Sequence, residues 1–232
     1  MPDHGEIPMP GGWLVSTMWT PVCGQGWADT AACFIGMWSA MMVVMMLPSI
    51  APVLWRARQA WRDRGQRCAG ALVAMMAAGY FGVCVATGAG IFVLVAALVE
   101  AAMQFPALAR AAPVWFAAVV LLAGGYQFTA AKSRELAGCR PTTCDVPQGT
   151  STWRCLAALR HGMRLGGRCT RACAGLTAIL LVVGVMDWRA MAVVGAAITA
   201  ERLAPQGERV AWVVGALSLV AGVYLMTHAL WS

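Results

Sequence analysis

Cys33, Met37, Met41 and Met45 recur at intervals of four along one apolar stretch. At 100° per residue each step drifts by only about 40°, so on a helix the four sulfurs form a single stripe. Thiolate and thioether groups are soft donors, and Cu(I) is the ion that a few of them suit best. Methionine also serves as flexible apolar filler, and spacing alone leaves both roles open. A second group of donors follows: Cys139, Cys144, Cys155, His161, Cys169 and Cys173. Cys169 and Cys173 stand four apart at the expected start of a helix, so both thiols can face one ion, with His161 and Cys139 as further candidate ligands. Neither pair has the CxxC spacing of a zinc finger, and a cysteine that ligates nothing behaves as a small apolar residue. Glu100, Asp187 and Glu201 form a third group at the ends of apolar runs. Ionisable groups at membrane depth are expensive, so they turn into the bundle or reach the interface. Tyr126 and Gln127 are suited to hydrogen bonds between helices. There is no nucleophile elbow, phosphate loop or dinucleotide fingerprint, and no paired acid and base, so catalysis by this chain alone is not expected.

The elements that must position these groups follow from composition. The chain has 232 residues, 60% hydrophobic and 12% charged, with a mean hydropathy of +0.67, which excludes a water-soluble globule. Its apolar runs are too long and too free of alternation for the roughly ten-residue strands of a membrane barrel. Helices satisfy their own backbone hydrogen bonds in hydrocarbon, so the fold class is all-α, a polytopic bundle. Four spans long enough for the roughly 20 residues of a bilayer crossing are expected at 28–47, 69–98, 111–131 and 210–230. Pro48 and Pro52 are expected to close the first. The stretch 172–204 is interrupted by Asp187, Trp188 and Arg189. It reads as two short spans about a turn, giving six transmembrane helices, or as one kinked helix, giving five. Residues 1–27 are expected to form an extracytoplasmic tail, in which Asp3 and Glu6 are unlike the basic start of a cleaved signal. Residues 28–232 then make one transmembrane domain with a cytoplasmic loop at 132–171.

Arg56, Arg58, Arg62, Arg64 and Arg67 lie between the first two spans, and Lys132, Arg134, Arg140, Arg154, Arg160, Arg164, Arg168 and Arg171 between the third and fourth. Cytoplasmic loops collect such residues, so both loops are expected in the cytoplasm and both termini outside it. The net charge of +7 is then topological. No recognition motif accompanies the arginines, so the expected partners are membrane lipids and other membrane subunits or further copies of the chain, not nucleic acid. The location this implies is the plasma membrane, the inner membrane of a bacterium.

Several fragments occur in a familiar order: Trp38, Met41 and Met42 leading to Pro48 and Pro52; Ala123-Gly-Gly-Tyr126-Gln127 followed by Lys132, Cys139 and Arg140; His161-Gly162 before Cys169 and Cys173; Gly184-Val-Met186-Asp187-Trp188; and Glu201-Arg202. Across about 37–205 the chain resembles the predicted metal-binding integral membrane proteins catalogued as domain of unknown function 2182. The resemblance implies an all-helical membrane fold and metal binding, with no established reaction. It also marks departures: Glu135 where the family tends to have a cysteine, Ala172-Cys173-Ala174 in place of adjacent cysteines, Asp187 for an asparagine and Arg202 for a lysine. By the same resemblance the chain is expected to lack an N-terminal span that many relatives carry, and to be a divergent member.

Three functions fit these features. The first is a membrane protein that binds or relays a transition metal, copper before others, through the methionine stripe and the Cys/His cluster within a larger complex. The second is a non-catalytic accessory subunit of a membrane redox or oxygenase complex. The third is a small-solute transporter working past Glu100, Asp187 and Glu201, against which stands the lack of an internal repeat. A membrane-impermeant thiol reagent applied to intact cells is expected to leave Cys144 and Cys155 unmodified, and labelling of either reverses the orientation.

Overall fold

The computed structural model describes residues 6–8, 14–16, 26–66, 68–138, 151–183, 188–204 and 206–231. Two three-residue strands, β1 (Glu6–Pro8) and β2 (Leu14–Ser16), pair antiparallel with Ile7 opposite Val15. The rest of the described chain is helical: α1 (Trp27–Asp63), α2 (Ala69–Gln104), α3 (Pro106–Arg110), α4 (Ala112–Tyr126), α5 (Ala130–Gly138), α6 (Ser151–Val183), α7 (Trp188–Leu203) and α8 (Gly207–Trp231). At the start of α1 the Asp29 carboxylate accepts the Gly26 amide at 3.2 Å, which satisfies one of the orphan donors of a first turn. Beyond its end, Gly65 takes a φ of 75°, the left-handed conformation that turns the chain toward α2. α3 and α4 each carry a proline in their first turn, where its missing N–H costs nothing.

Among the described residues, α1, α2, α6 and α8 are each long and apolar enough to cross a membrane. α4 and α5, bent by 65° across a short break, meet the same test as a pair and make a fifth. α7 has 16 residues, about 24 Å at 1.5 Å per residue, and does not meet it alone. Four helices, or five with the bent pair, thus meet this test among the described residues, where six spans were expected with five as the alternative.

Other boundaries also differ from expectation. α1 does not stop at Pro48 and Pro52 but runs through both to Asp63, because a helix held by its neighbours tolerates the lost amides when other groups engage the backbone nearby. Ser49 Oγ donates to the Met46 carbonyl oxygen at 2.8 Å. The expected single span at 111–131 is broken after Tyr126. Residues 132–171, expected as a loop, are largely helical, with α5 reaching Gly138 and α6 beginning at Ser151. The expected division of 172–204 falls between α6 and α7, and Asp187 lies outside the described residues.

Four long-range contacts put the arginine-bearing ends together. Arg154 bonds to Gln66, Arg202 to Ser49, Lys132 to Glu201, and the Tyr126 hydroxyl donates to the Arg171 carbonyl oxygen at 3.0 Å. The start of α6 thus meets the turn after α1, and the C-terminal ends of α4 and α7 lie against the middle parts of α6 and α1. α2 and α6 form the most extensive helix pair, and small residues make it close. A Cβ on Gly162 would overlap the Met76 carbonyl oxygen, and one on Gly166 would lie 2.8 Å from the Tyr80 carbonyl oxygen. Gly162→Val is therefore expected to push α6 off α2 and lower stability by about 1–3 kcal/mol, the usual cost of overpacking. Gly82→Ala, which meets open space, should not lower it. Thermal unfolding of both variants in detergent checks this, and equal midpoints would contradict the close approach.

Candidate metal centre

The close approach of α2 to α6 delivers Tyr80 to Cys169. The phenol oxygen and the Cys169 sulfur are 2.6 Å apart, and both residues are buried. On the other side α1 supplies Met46, whose Sδ accepts from Cys169 Sγ at 3.7 Å. With the thiol hydrogen directed at Met46, the phenol is the donor in its contact with Cys169. One turn along α6 from Cys169, the buried thiol of Cys173 donates to the Thr170 carbonyl oxygen at 3.5 Å. Both cysteines are free thiols. Two thiols from α6 and a thioether from α1 thus lie in one buried cluster that also holds Tyr80, Leu176 and, further along α1, Trp38 and Phe34. The Trp38 indole N–H donates to the Cys84 carbonyl oxygen at 3.1 Å, which fixes the face that α1 turns to α2.

The expected site residues separate into those that meet here and those that do not. Cys169 and Cys173 meet. Met41 and Met45 are buried in the same cluster, with Met37 half-buried at its edge. Met45 is aimed at α7, where its Cγ lies 3.4 Å from the position of a Cβ on Gly195. Cys33 is exposed. His161 lies eight residues before Cys169 on the continuous helix α6, about 12 Å away along the axis, so the two cannot share one ion. Cys139 lies outside the described residues, and Glu100 is exposed at the end of α2. Glu135, the departure from the cysteine of the resembled family, forms an ion pair with Arg171, Nε to Oε1 at 2.9 Å.

Glu201 is buried and takes part in a polar network that sequence did not show. Lys132 Nζ donates to Glu201 Oε2 at 2.7 Å and to Gln127 Oε1, and all three residues are buried. This ties α7 to both sides of the break between α4 and α5. Met46, Tyr80 and Arg202 were the other residues not anticipated. Trp38, Met42 and Met46 also recur at intervals of four, so the alternative stripe was present one position along, and its aromatic member was the available sign of the buried face.

Among the described residues no three His, Cys, Asp or Glu side chains converge. The donor set is therefore two thiols and a thioether, which is poor for tetrahedral zinc and suited to a soft ion of low coordination number. A helical bundle whose core gathers such donors belongs, by its chemistry, with proteins that handle soft metal ions. The family model described as copper chaperone, PpoB2, matches residues 35–225, which include every donor of the cluster and leave out Cys33. The chain belongs to the PpoB2 copper chaperone family. No curated protein and no solved structure matches it.

Proposed function

We propose that this chain is an integral membrane copper chaperone that holds Cu(I) between Cys169, Cys173 and Met46 and passes it on within a larger membrane complex. The observation that carries this reading is a pair of buried thiols one turn apart on α6, one of them 3.7 Å from a buried thioether of α1, in a chain of a copper chaperone family. Two thiolates hold Cu(I) tightly. A thioether is a weaker, neutral donor, so it can open the site for exchange without removing the ion's principal ligands. Met41, Met45 and the half-buried Met37 continue the sulfur path along α1 away from the thiols. From Met46 to Met37 this path covers about 14 Å at 1.5 Å per residue. The ion is cargo here, and the chain performs no chemistry on it.

In this reading the bundle lies in the inner membrane of a bacterium. α4 and α5 act as one broken span and α7 as a short sixth, both termini lie outside, and the arginine-rich end lies in the cytoplasm. That end would also contact anionic lipid headgroups. The thiol pair then sits toward the cytoplasmic side and the methionine path leads outward, toward a partner subunit. The reading retains the likeness to the domain of unknown function 2182 family and treats the chain as a divergent member of it. A second reading, as a non-catalytic accessory subunit, is favoured by Glu135, whose ion pair with Arg171 occupies a cysteine position of that family.

The double variant Cys169→Ala, Cys173→Ala is expected to lose stoichiometric copper while it keeps its helical content. Replacing Met37, Met41 and Met45 by leucine, at less than about 1.5 kcal/mol each, should leave copper on the thiols but slow its transfer. Copper content of the purified variants decides between the two readings, since unchanged copper in the double alanine variant favours the accessory subunit.

A further inference from the structure

A methionine of α7 stands against the sulfur path of α1, and the register of the two helices decides which part of the path it meets. Met45 reaches the backbone of α7 at Gly195, where its Cγ and Cε lie 3.4 and 3.8 Å from the position that a Cβ would take. Further along both helices, Arg202 Nη1 donates to Ser49 Oγ at 3.2 Å, its long side chain reaching back toward the start of α7 as helical side chains do. The two contacts advance along both chains together, so α1 and α7 run parallel. One turn earlier on each helix, Met41 is then level with Met191. Met41 and Met45 are buried, and Met191 is half-buried against the same core cluster.

We infer that Met41 and Met45 of α1 and Met191 of α7 form a second, all-thioether site for a monovalent soft cation, next to the thiol pair and weaker than it. The inference rests on the reading that the chain carries Cu(I) on Cys169 and Cys173, and it adds a second station and a second helix to the path. Met41 and Met45 alone would offer an ion two donors one turn apart, and Met191 supplies a third from across the interface. Thioethers are soft and neutral, so they suit Cu(I) without offsetting its charge. In an apolar layer an unbalanced charge is costly, so an ion is held there less tightly than between two thiolates, and a divalent ion less tightly still. Met46 and Met45 are consecutive, the first 3.7 Å from Cys169 and the second against α7. The two sites therefore share one turn of α1, and an ion leaving the thiols meets sulfur on both sides of the helix.

The test is a titration of the full-length protein in detergent with Ag(I), which is monovalent and thiophilic and keeps its oxidation state, followed by calorimetry and by the NMR signals of methyl-labelled methionine. The wild type is expected to take one tight and one weaker equivalent, the second shifting the methyl signals of Met41, Met45 and Met191. Met191→Leu should keep the tight equivalent and weaken the second by on the order of tenfold or more, since even changes outside the ligand shell cost a metal site that much. Met41→Leu should do the same, and because leucine nearly conserves the volume of methionine both variants are expected to fold. Met103→Leu, at an exposed position near the end of α2, should change neither equivalent. A single equivalent in the wild type, or a second one undiminished in Met191→Leu and Met41→Leu, overturns the inference and leaves the chaperone reading standing. In Cys169→Ala, Cys173→Ala, loss of the tight equivalent with the weaker one retained supports two separate sites, whereas a tight equivalent that persists overturns the chaperone reading and the inference with it.

Discussion

Gly162 and Gly166 let the backbone of α6 lie against that of α2, and the contact of Cys169 with Tyr80 depends on that approach. Side chains of ordinary size at these positions would meet the Met76 and Tyr80 carbonyls and move Tyr80 away from Cys169. In hydrocarbon, association of helices rests on close van der Waals contact and interhelical hydrogen bonds, with little hydrophobic drive between them. The glycines therefore position the site and hold the bundle together by the same contact. α1 then packs on α2 through Trp38, whose indole bonds to the Cys84 carbonyl oxygen, and this sets which methionines turn inward.

The second constraint is electrostatic. Lys132, Glu201 and Gln127 are buried together where the helix breaks between α4 and α5. A buried pair of this kind contributes little by itself, but losing one partner strands the other at a cost of about 3–5 kcal/mol. The network therefore holds α7 at a fixed height against the broken span. Because Arg202 follows Glu201 directly, fixing one fixes the other, and the guanidinium is held against Ser49 of α1. Three contacts thus set the helices around the thiol pair: glycine packing brings α2 to α6, an indole orients α1, and an ion pair sets α7.

Helical character and the placing of Cys169 and Cys173 one turn apart on one helix were legible in the sequence, because hydropathy and a spacing of four residues report on a single helix. What was not legible depends on relations between helices. The stripe Met37, Met41, Met45 and its neighbour Trp38, Met42, Met46 have equal periodicity, and only the Trp38 bond to α2 distinguishes the face that meets Cys169. His161 looked close because sequence separation was read without the 1.5 Å rise of a helix that begins at Ser151. Lys132 read as the charged end of a span, and its burial depends on Glu201, 69 residues away. Pro48 and Pro52 read as terminators by the rules of an isolated helix, yet α1 passes through them where Ser49 and Arg202 engage the same segment.

Sulfur ligation of copper in the core is the claim on which the rest turns, and X-ray absorption at the copper edge of the reduced, copper-loaded full-length chain tests it most directly. The account predicts a monovalent copper edge and a first shell of two or three sulfur atoms, with a sulfur lost in Met46→Leu. A first shell made of nitrogen or oxygen, or a sulfur shell that persists unchanged when Cys169 and Cys173 are both alanine, would contradict it.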